Sequence, residues 1–301
     1  MAKARKILAR TKAIKNIHTV IRTMEMVSTA RFKKAFNRTS SARPYIEGMA
    51  ALVEDILVRC NPEKVYHPLL RRPEKLRTAN VILITSDRGL CGGYNSSLCK
   101  MAAARLSELA AAGVATKLYV VGRKGFVQMH RDKWDVFHDY IGLNPESQGW
   151  QWASALGNEF IADFAGDKLD CVEVVYSRLV GMGGHQPTCR ALLPLAFQLD
   201  EDRGKEPPKL TMSQRVEYEF IPSAKDMLDH LLPMTVRLEL YQWLMEAAVT
   251  EQIARMAAMR SANENATEMI RKLTVQYNRT RQSQITTELA EILGGAVALE
   301  G

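Results

Sequence analysis

Apolar residues recur at helical spacing along both ends of the chain. Ile7, Ile14 and Ile21 repeat every seven positions, with Ile17 and Met24 supplying the second apolar position of each heptad. Near the other end, Ile285, Leu289, Ile292, Ala296 and Leu299 step by four, three, four and three. Leu240, Leu244 and Ala247 open the same pattern, and Ile270, Leu273 and Tyr277 continue it. Residues 1–43 hold neither Gly nor Pro, with Pro44 the first helix-breaker, and 234–293 again hold neither. Helix interiors exclude the two residue types at roughly 1 and 3 kcal/mol. Two long terminal helices therefore enclose a mixed middle segment.

A helix of about 70 residues would be on the order of 100 Å long and needs a partner along most of that length. The other long helix is the candidate partner within the chain, so the pattern predicts an antiparallel coiled coil. Its seam includes small residues, Ala247, Ala248, Ala254, Ala257, Ala258 and Ala262, giving a slender coil. A plain dimerisation arm fits the pattern equally well.

The middle alternates strand-like and helix-like runs. VILITS (81–86), KLYVVG (117–122) and CVEVVYSRL (171–179) read as buried strands. Residues 97–113 and 150–166 read as helices between them. The expected fold class is α/β, a central Rossmann-like domain with a long antiparallel coiled coil of the N- and C-terminal helices. The expected division is a coil helix over 1–60, the α/β domain over 76–200, and a second coil helix over 222–301 that packs on 1–60. The stretch LDEDRGKEPPK (199–209) reads as an exposed linker.

Charge changes the picture because it is concentrated. The 301 residues carry a net +8, yet residues 1–43 alone hold twelve Lys and Arg against the single acid Glu25. With +11 in that segment, the remaining 258 residues sum to −3. One basic element points to an acidic protein surface, nucleic acid or anionic lipid. No apolar run reaches the 18 residues of a membrane-spanning helix. The basic N-terminus is poor in Ser and merges into the heptads, so it reads as mature structure rather than a transit peptide.

Candidate chemistry is sparse. Cys60, Cys91, Cys99, Cys171 and Cys189 form no CxxC and read as reduced thiols. His185 and Cys189 have ligand-like spacing but lack two further ligands. SDRGLCGGYN (86–95) is the most enzyme-like feature, a Gly-rich turn between a strand and a helix, where a Rossmann fold can hold phosphate. Its glycines, Gly89, Gly92 and Gly93, miss the G-x-G-x-x-G spacing, and Asp87 brings charge of the wrong sign. No cofactor is expected. Glu288 and Glu291 lie on adjacent turns and read as a solvated or subunit-facing flank.

Three separated segments resemble one family, the gamma subunit of the F-type rotary ATP synthase. They are IKNIHTVIRTMEMVSTARFKKA (14–35) with its M-E-M-V core, SDRGLCGGYN, and YNRTRQSQIT running into ITTELAEILGGA (277–296). The resemblance spans both ends and the middle. It implies a non-catalytic rotor shaft inside a hexamer of three alpha and three beta subunits, with the epsilon subunit and the c-ring at its foot. It implies no catalytic residue, no nucleic acid and no direct membrane insertion. The implied location is peripheral, on the cytoplasmic face of a bacterial inner membrane, in a proton-translocating complex. The residues it marks as subunit contacts are Met24, Gly89, Leu90, Cys91, Arg281, Gln282 and Glu288. Tyr218 and Phe220 fall in the segment that meets the c-ring. The charge pattern leaves a second reading, a basic coiled-coil nucleic-acid-binding or scaffold protein. A stand-alone nucleotide-dependent enzyme is a third, weakened by the missing phosphate fingerprint.

Overall fold

A computed structural model of the chain describes residues 2–59, 67–71, 73, 75–181, 183–195 and 223–300. The linker at 199–209 and the aromatic pair Tyr218 and Phe220 lie outside the described residues. The chain divides into two compact units, Met1–Ala30 with Arg255–Gly301, and Arg31–Ala254. Helices α1 (Ala2–Arg59) and α5 (Ala224–Glu300) contribute to both.

The Arg31–Ala254 unit is built on a five-stranded sheet. Its elements are β1 (Thr78–Ile84), α2 (Tyr94–Ala111), β2 (Ala115–Val121), α3 (Arg123–Arg131), β3 (His138–Tyr140), α4 (Gly149–Ala165), β4 (Cys171–Val180) and β5 (Gly184–Leu193). The strand order is β3-β2-β1-β4-β5, parallel except for the antiparallel β4–β5 pair. Alternate residues of each strand face opposite layers. Ile82, Ile84, Tyr119, Val121, Val172, Val174 and Tyr176 face one core, with Phe160 and Phe164 of α4. Val81, Leu83, Leu118, Val120 and Val175 face the other, under Leu98, Ala102, Leu106 and Leu109 of α2. Burial on both faces is why these strands read as unbroken apolar runs.

The first part of α5 belongs to this sheet domain. Leu228, Leu232, Val236, Leu240, Leu244 and Ala247 pack into the same core as α4, and Ala254 packs into the opposite layer. Leu240, Leu244 and Ala247 were expected on a coil seam; they lie in a core shared by the sheet and by Val53 and Ile56 of α1. A 3.6-residue apolar stripe specifies a buried face without naming what buries it. Two prolines lie inside helices, Pro44 in α1 and Pro233 in α5, and this packing compensates the second. Leu232 and Val236 are fully buried beside Pro233. At about 1.5–3 kcal/mol per buried side chain, they offset the lost hydrogen bond.

Three elements were not anticipated. β3 is three residues long, α3 nine, and β5 carries Pro187. Pro187 is tolerated because β5 is the sheet's edge, so its missing N–H interrupts no ladder on the open side.

In the other unit, α1 and α5 run antiparallel. The hydroxyl of Thr267 lies 3.3 Å from Nε2 of His18, while Arg5 and Leu8 share a groove with Tyr277 and Gln284. On α1 the covered positions are Ile7, Thr11, Ile14, His18, Ile21, Glu25 and Ser28. On α5 they are Ala266, Ile270, Leu273, Tyr277, Thr280 and Gln284. Both series step by four and three, the geometry of a left-handed coil. Polar residues hold about half of it.

Two parts of the expected seam are displaced. Ile17 is 54% exposed and Met24 half-buried, because Thr11, His18 and Glu25 take the second position of each heptad. Ile285, Leu289 and Ile292 are exposed by 47, 54 and 68%. The covered series passes through Gln284, so Ile285 is already turned about 100° from it. Moreover, with His18 beside Thr267 and equal rise on both helices, Ala2 falls opposite about residue 283.

Candidate subunit-contact sites

The turn after β1 is held from inside. Oδ1 of Asn95 accepts the Ser86 backbone N–H at 3.0 Å, and its Nδ2 donates to Ser86 Oγ at 2.8 Å and Cys91 Sγ at 3.2 Å. Cys91 is therefore sequestered at 2% exposure, and its thiol faces the turn rather than solvent. Leu90, beside it, has φ +65° and is 58% exposed. A left-handed conformation costs a non-glycine residue roughly 1–2 kcal/mol. Here a large apolar side chain is held in that conformation and presented outward. Gly89 is half-buried, and Gly92 takes φ +59°.

The same segment also caps the start of α3. The first three N–H groups of α3 point at β1's end. Arg123 N donates to Asp87 Oδ1 at 2.9 Å, Lys124 N to the Ser86 carbonyl at 3.0 Å, and Gly125 N to Thr85 Oγ1 at 2.9 Å. Gly142 N also donates to Asp87, at 3.1 Å. A Cβ on Gly122, which has φ +95°, would stand 2.4 Å from the Thr85 carbonyl oxygen. The contact is closed to any ligand group. Asp87 is thus the resident anion at this helix start, a reason for its charge that spacing could not supply. Thr85 and Asn95 escaped sequence reasoning because each acts on backbone distant in sequence.

Other candidates separate. His185 and Cys189 sit four apart on a strand, roughly 13 Å at 3.3 Å per residue, so the spacing that pairs ligands on a helix parts them here. Nδ1 of His185 is 3.3 Å from Ser177 Oγ, and the Cys189 thiol reaches Glu173 Oε2 at 3.8 Å. Burial pushes the Cys99 thiol up to about 11, and pushes Cys171 up further. Phe32 and Phe36, the aromatics of the basic segment 1–43, pack against Ala35, Val249 and Ile253 and are not free to stack on bases. Among the described residues no cluster of His, Cys, Asp or Glu could hold a metal ion.

On the paired helices, Arg281, Tyr277, Gln284, Ile285 and Glu288 line a groove of about 290 Å³ with Arg5 and Leu8. Arg281, Gln282 and Glu288 are all exposed. Leu293 is 66% exposed and extends the apolar face of Ile285, Leu289 and Ile292. The structure brings Arg281 and Glu288 into one groove. The turn of Gly89, Leu90 and Cys91 belongs to the other unit.

The sequence matches a family model described as ATP synthase over residues 3–299. It is 35% identical over 302 residues to the ATP synthase gamma chain of Rhodopirellula baltica, covering 100% of both chains. It is 36% identical over 303 residues to that of Desulfitobacterium hafniense, again covering 100% of each. The fold resembles a chain in the cryo-EM structure of Euglena gracilis mitochondrial ATP synthase, OSCP/F1/c-ring. That match has a TM-score of 0.65 and 19% identity, over 99% of this chain and 95% of that one. A chain of the Tetrahymena thermophila mitochondrial ATP synthase central stalk/c-ring matches with a TM-score of 0.55 and 23% identity, over 81% and 99%. Matched end to end by the family model and by relatives above one third identity, the chain belongs to the ATP synthase gamma-chain family.

Proposed function

We propose that this chain is the central-stalk rotor subunit of a proton-translocating ATP synthase, a non-catalytic part that couples ion flow to conformational cycling of catalytic beta subunits. The observation that carries the reading is the end of α5. Four large apolar side chains, Ile285, Leu289, Ile292 and Leu293, stand 47–68% exposed on its last described turns. An exposed apolar face of this size calls for a sheath, and a hexamer of alpha and beta subunits supplies one.

The partners are that hexamer, the epsilon subunit and the c-ring, with the c-ring segment at Tyr218 and Phe220. Residues 1–60 and 222–301 serve as the shaft and 76–200 as the α/β body. The chain works peripherally at the cytoplasmic face of a bacterial inner membrane. No helix among the described residues is long and apolar enough to cross a membrane.

An asymmetric shaft biases three identical sites by making different contacts with each, so the relevant quantity is differential binding between conformations. Met24, Leu90, Arg281, Gln282 and Glu288 present those contacts, with Gly89 and Cys91 shaping the turn that holds Leu90 out. Lys and Arg along α1 face acidic loops of the beta subunits, attracting without interlocking.

A charge-assisted hydrogen bond is typically worth about 1.5–3 kcal/mol, and ~1.4 kcal/mol is tenfold in rate. Arg281→Ala with Gln282→Ala in the reconstituted complex is therefore expected to slow coupled turnover roughly ten- to a hundredfold. Both side chains are exposed, so assembly should be unchanged. Wild-type rates in a fully assembled double variant would mean that these side chains are bystanders.

A further inference from the structure

One turn of α5 is gripped by polar groups from two other elements. Tyr94, the first residue of α2, donates its hydroxyl to the Ala247 carbonyl at 3.0 Å. Leu179 N of β4 donates to Glu246 Oε1 at 2.8 Å. The Thr250 hydroxyl reaches the Ser177 carbonyl at 3.1 Å, and also the Glu246 and Ala247 carbonyls of its own helix. Tyr94 is 3% exposed, Ser177 1% and Thr250 0%.

The sheet explains the need for these bonds. β1 pairs with β4 only as far as Leu83 and Val175. Beyond that register, the edge of β4 that would face β1 has lost its strand neighbour. Ser177 O and Leu179 N turn to side chains of α5 instead, since buried backbone polar groups must find partners.

The grip also has a direction. Tyr94 closes the turn that presents Leu90, with Tyr94 N donating to the Cys91 carbonyl at 3.3 Å. A load on that turn therefore meets α5 at Ala247 through one rigid aromatic side chain.

We propose that Tyr94 and Glu246 are positioning residues that lock the C-terminal helix in rotational register with the Leu90 turn and β4, so that torque passes between them without slip. This rests on the rotor reading above. Apolar packing around α5 resists separation, whereas directional bonds at one turn resist rotation of that turn about the helix axis.

The test uses the complete reconstituted complex in sealed vesicles, measuring ATP hydrolysis and ion pumping side by side. Tyr94→Phe removes one hydroxyl and keeps the ring. Glu246→Leu removes the acceptor for Leu179 N, and Glu246→Gln restores one. Losing one hydrogen bond is expected to lower the pumping-to-hydrolysis ratio roughly two- to tenfold in the Phe and Leu variants, with the Gln variant near wild type. A ratio unchanged in both Phe and Leu variants overturns the proposal. So does failure of those variants to assemble, which would make the bonds folding elements. If the wild-type chain itself does not assemble with alpha and beta subunits, the rotor reading fails and the lock falls with it.

Discussion

Asp87 sits in the turn after β1, and two backbone donors explain what it does there. It accepts from Arg123 N and Gly142 N and so ties the turn to the start of α3. The acid was legible as an obstacle to nucleotide; its partners, 36 and 55 residues away, were not. Cys91 is a similar case, legible as an ordinary thiol but not as one sealed by Asn95. Glu246 supplies a prediction at this scale. Burial holds its carboxyl above the usual 4.5, despite the Leu179 N–H, Arg178, Tyr176 and Arg190, which pull it down. The unfolded chain releases that proton first, so the group favours folding less as pH rises from about 4.5 through the folded value. Glu246→Gln keeps an acceptor and does not titrate. Its thermal midpoint relative to wild type should be level near pH 4 and rise towards pH 7. A constant difference across that range would refute the assignment.

Among the elements, the long helices and the three central strands could be read directly, because length and double-sided burial leave strong patterns. What buries each helical face could not. Leu240 and Leu244 carry the same stripe as Ile270 and Leu273, yet the first pair meets the sheet and the second meets α1. Polar seam residues such as Thr11, His18 and Gln284 hid the coil register, since Ile17 and Ile285 look better in those places. β5 was hidden by Pro187, which reads as a breaker until the strand is known to be an edge. The helix ends carry a prediction. Protection against hydrogen exchange follows burial and packing. In the isolated chain, amides of residues 286–293 should exchange much faster than those of 228–247, the difference reaching at least a hundredfold in rate, about 2.7 kcal/mol. Equal protection of the two segments would mean that the end of α5 is covered by its own chain.

For the molecule as a whole, the acid and the thiol of the Gly-rich turn are engaged within the fold, while apolar side chains near the end of α5 and the basic side chains of α1 are turned outward. The donors at the start of α3 are filled, and the described residues offer no metal cluster. Exposed Ile285, Leu289 and Ile292 and the basic α1 call for other proteins. The most direct measurement is reconstitution of this chain with alpha and beta subunits, followed by ATP hydrolysis with a bead fixed to the α/β body. The account predicts a complex in which a single copy of this chain turns in one direction as ATP is consumed, and no ATP binding by the chain alone. Stoichiometric micromolar ATP binding to the isolated chain, or a hydrolysing complex in which the bead stays still, would contradict it.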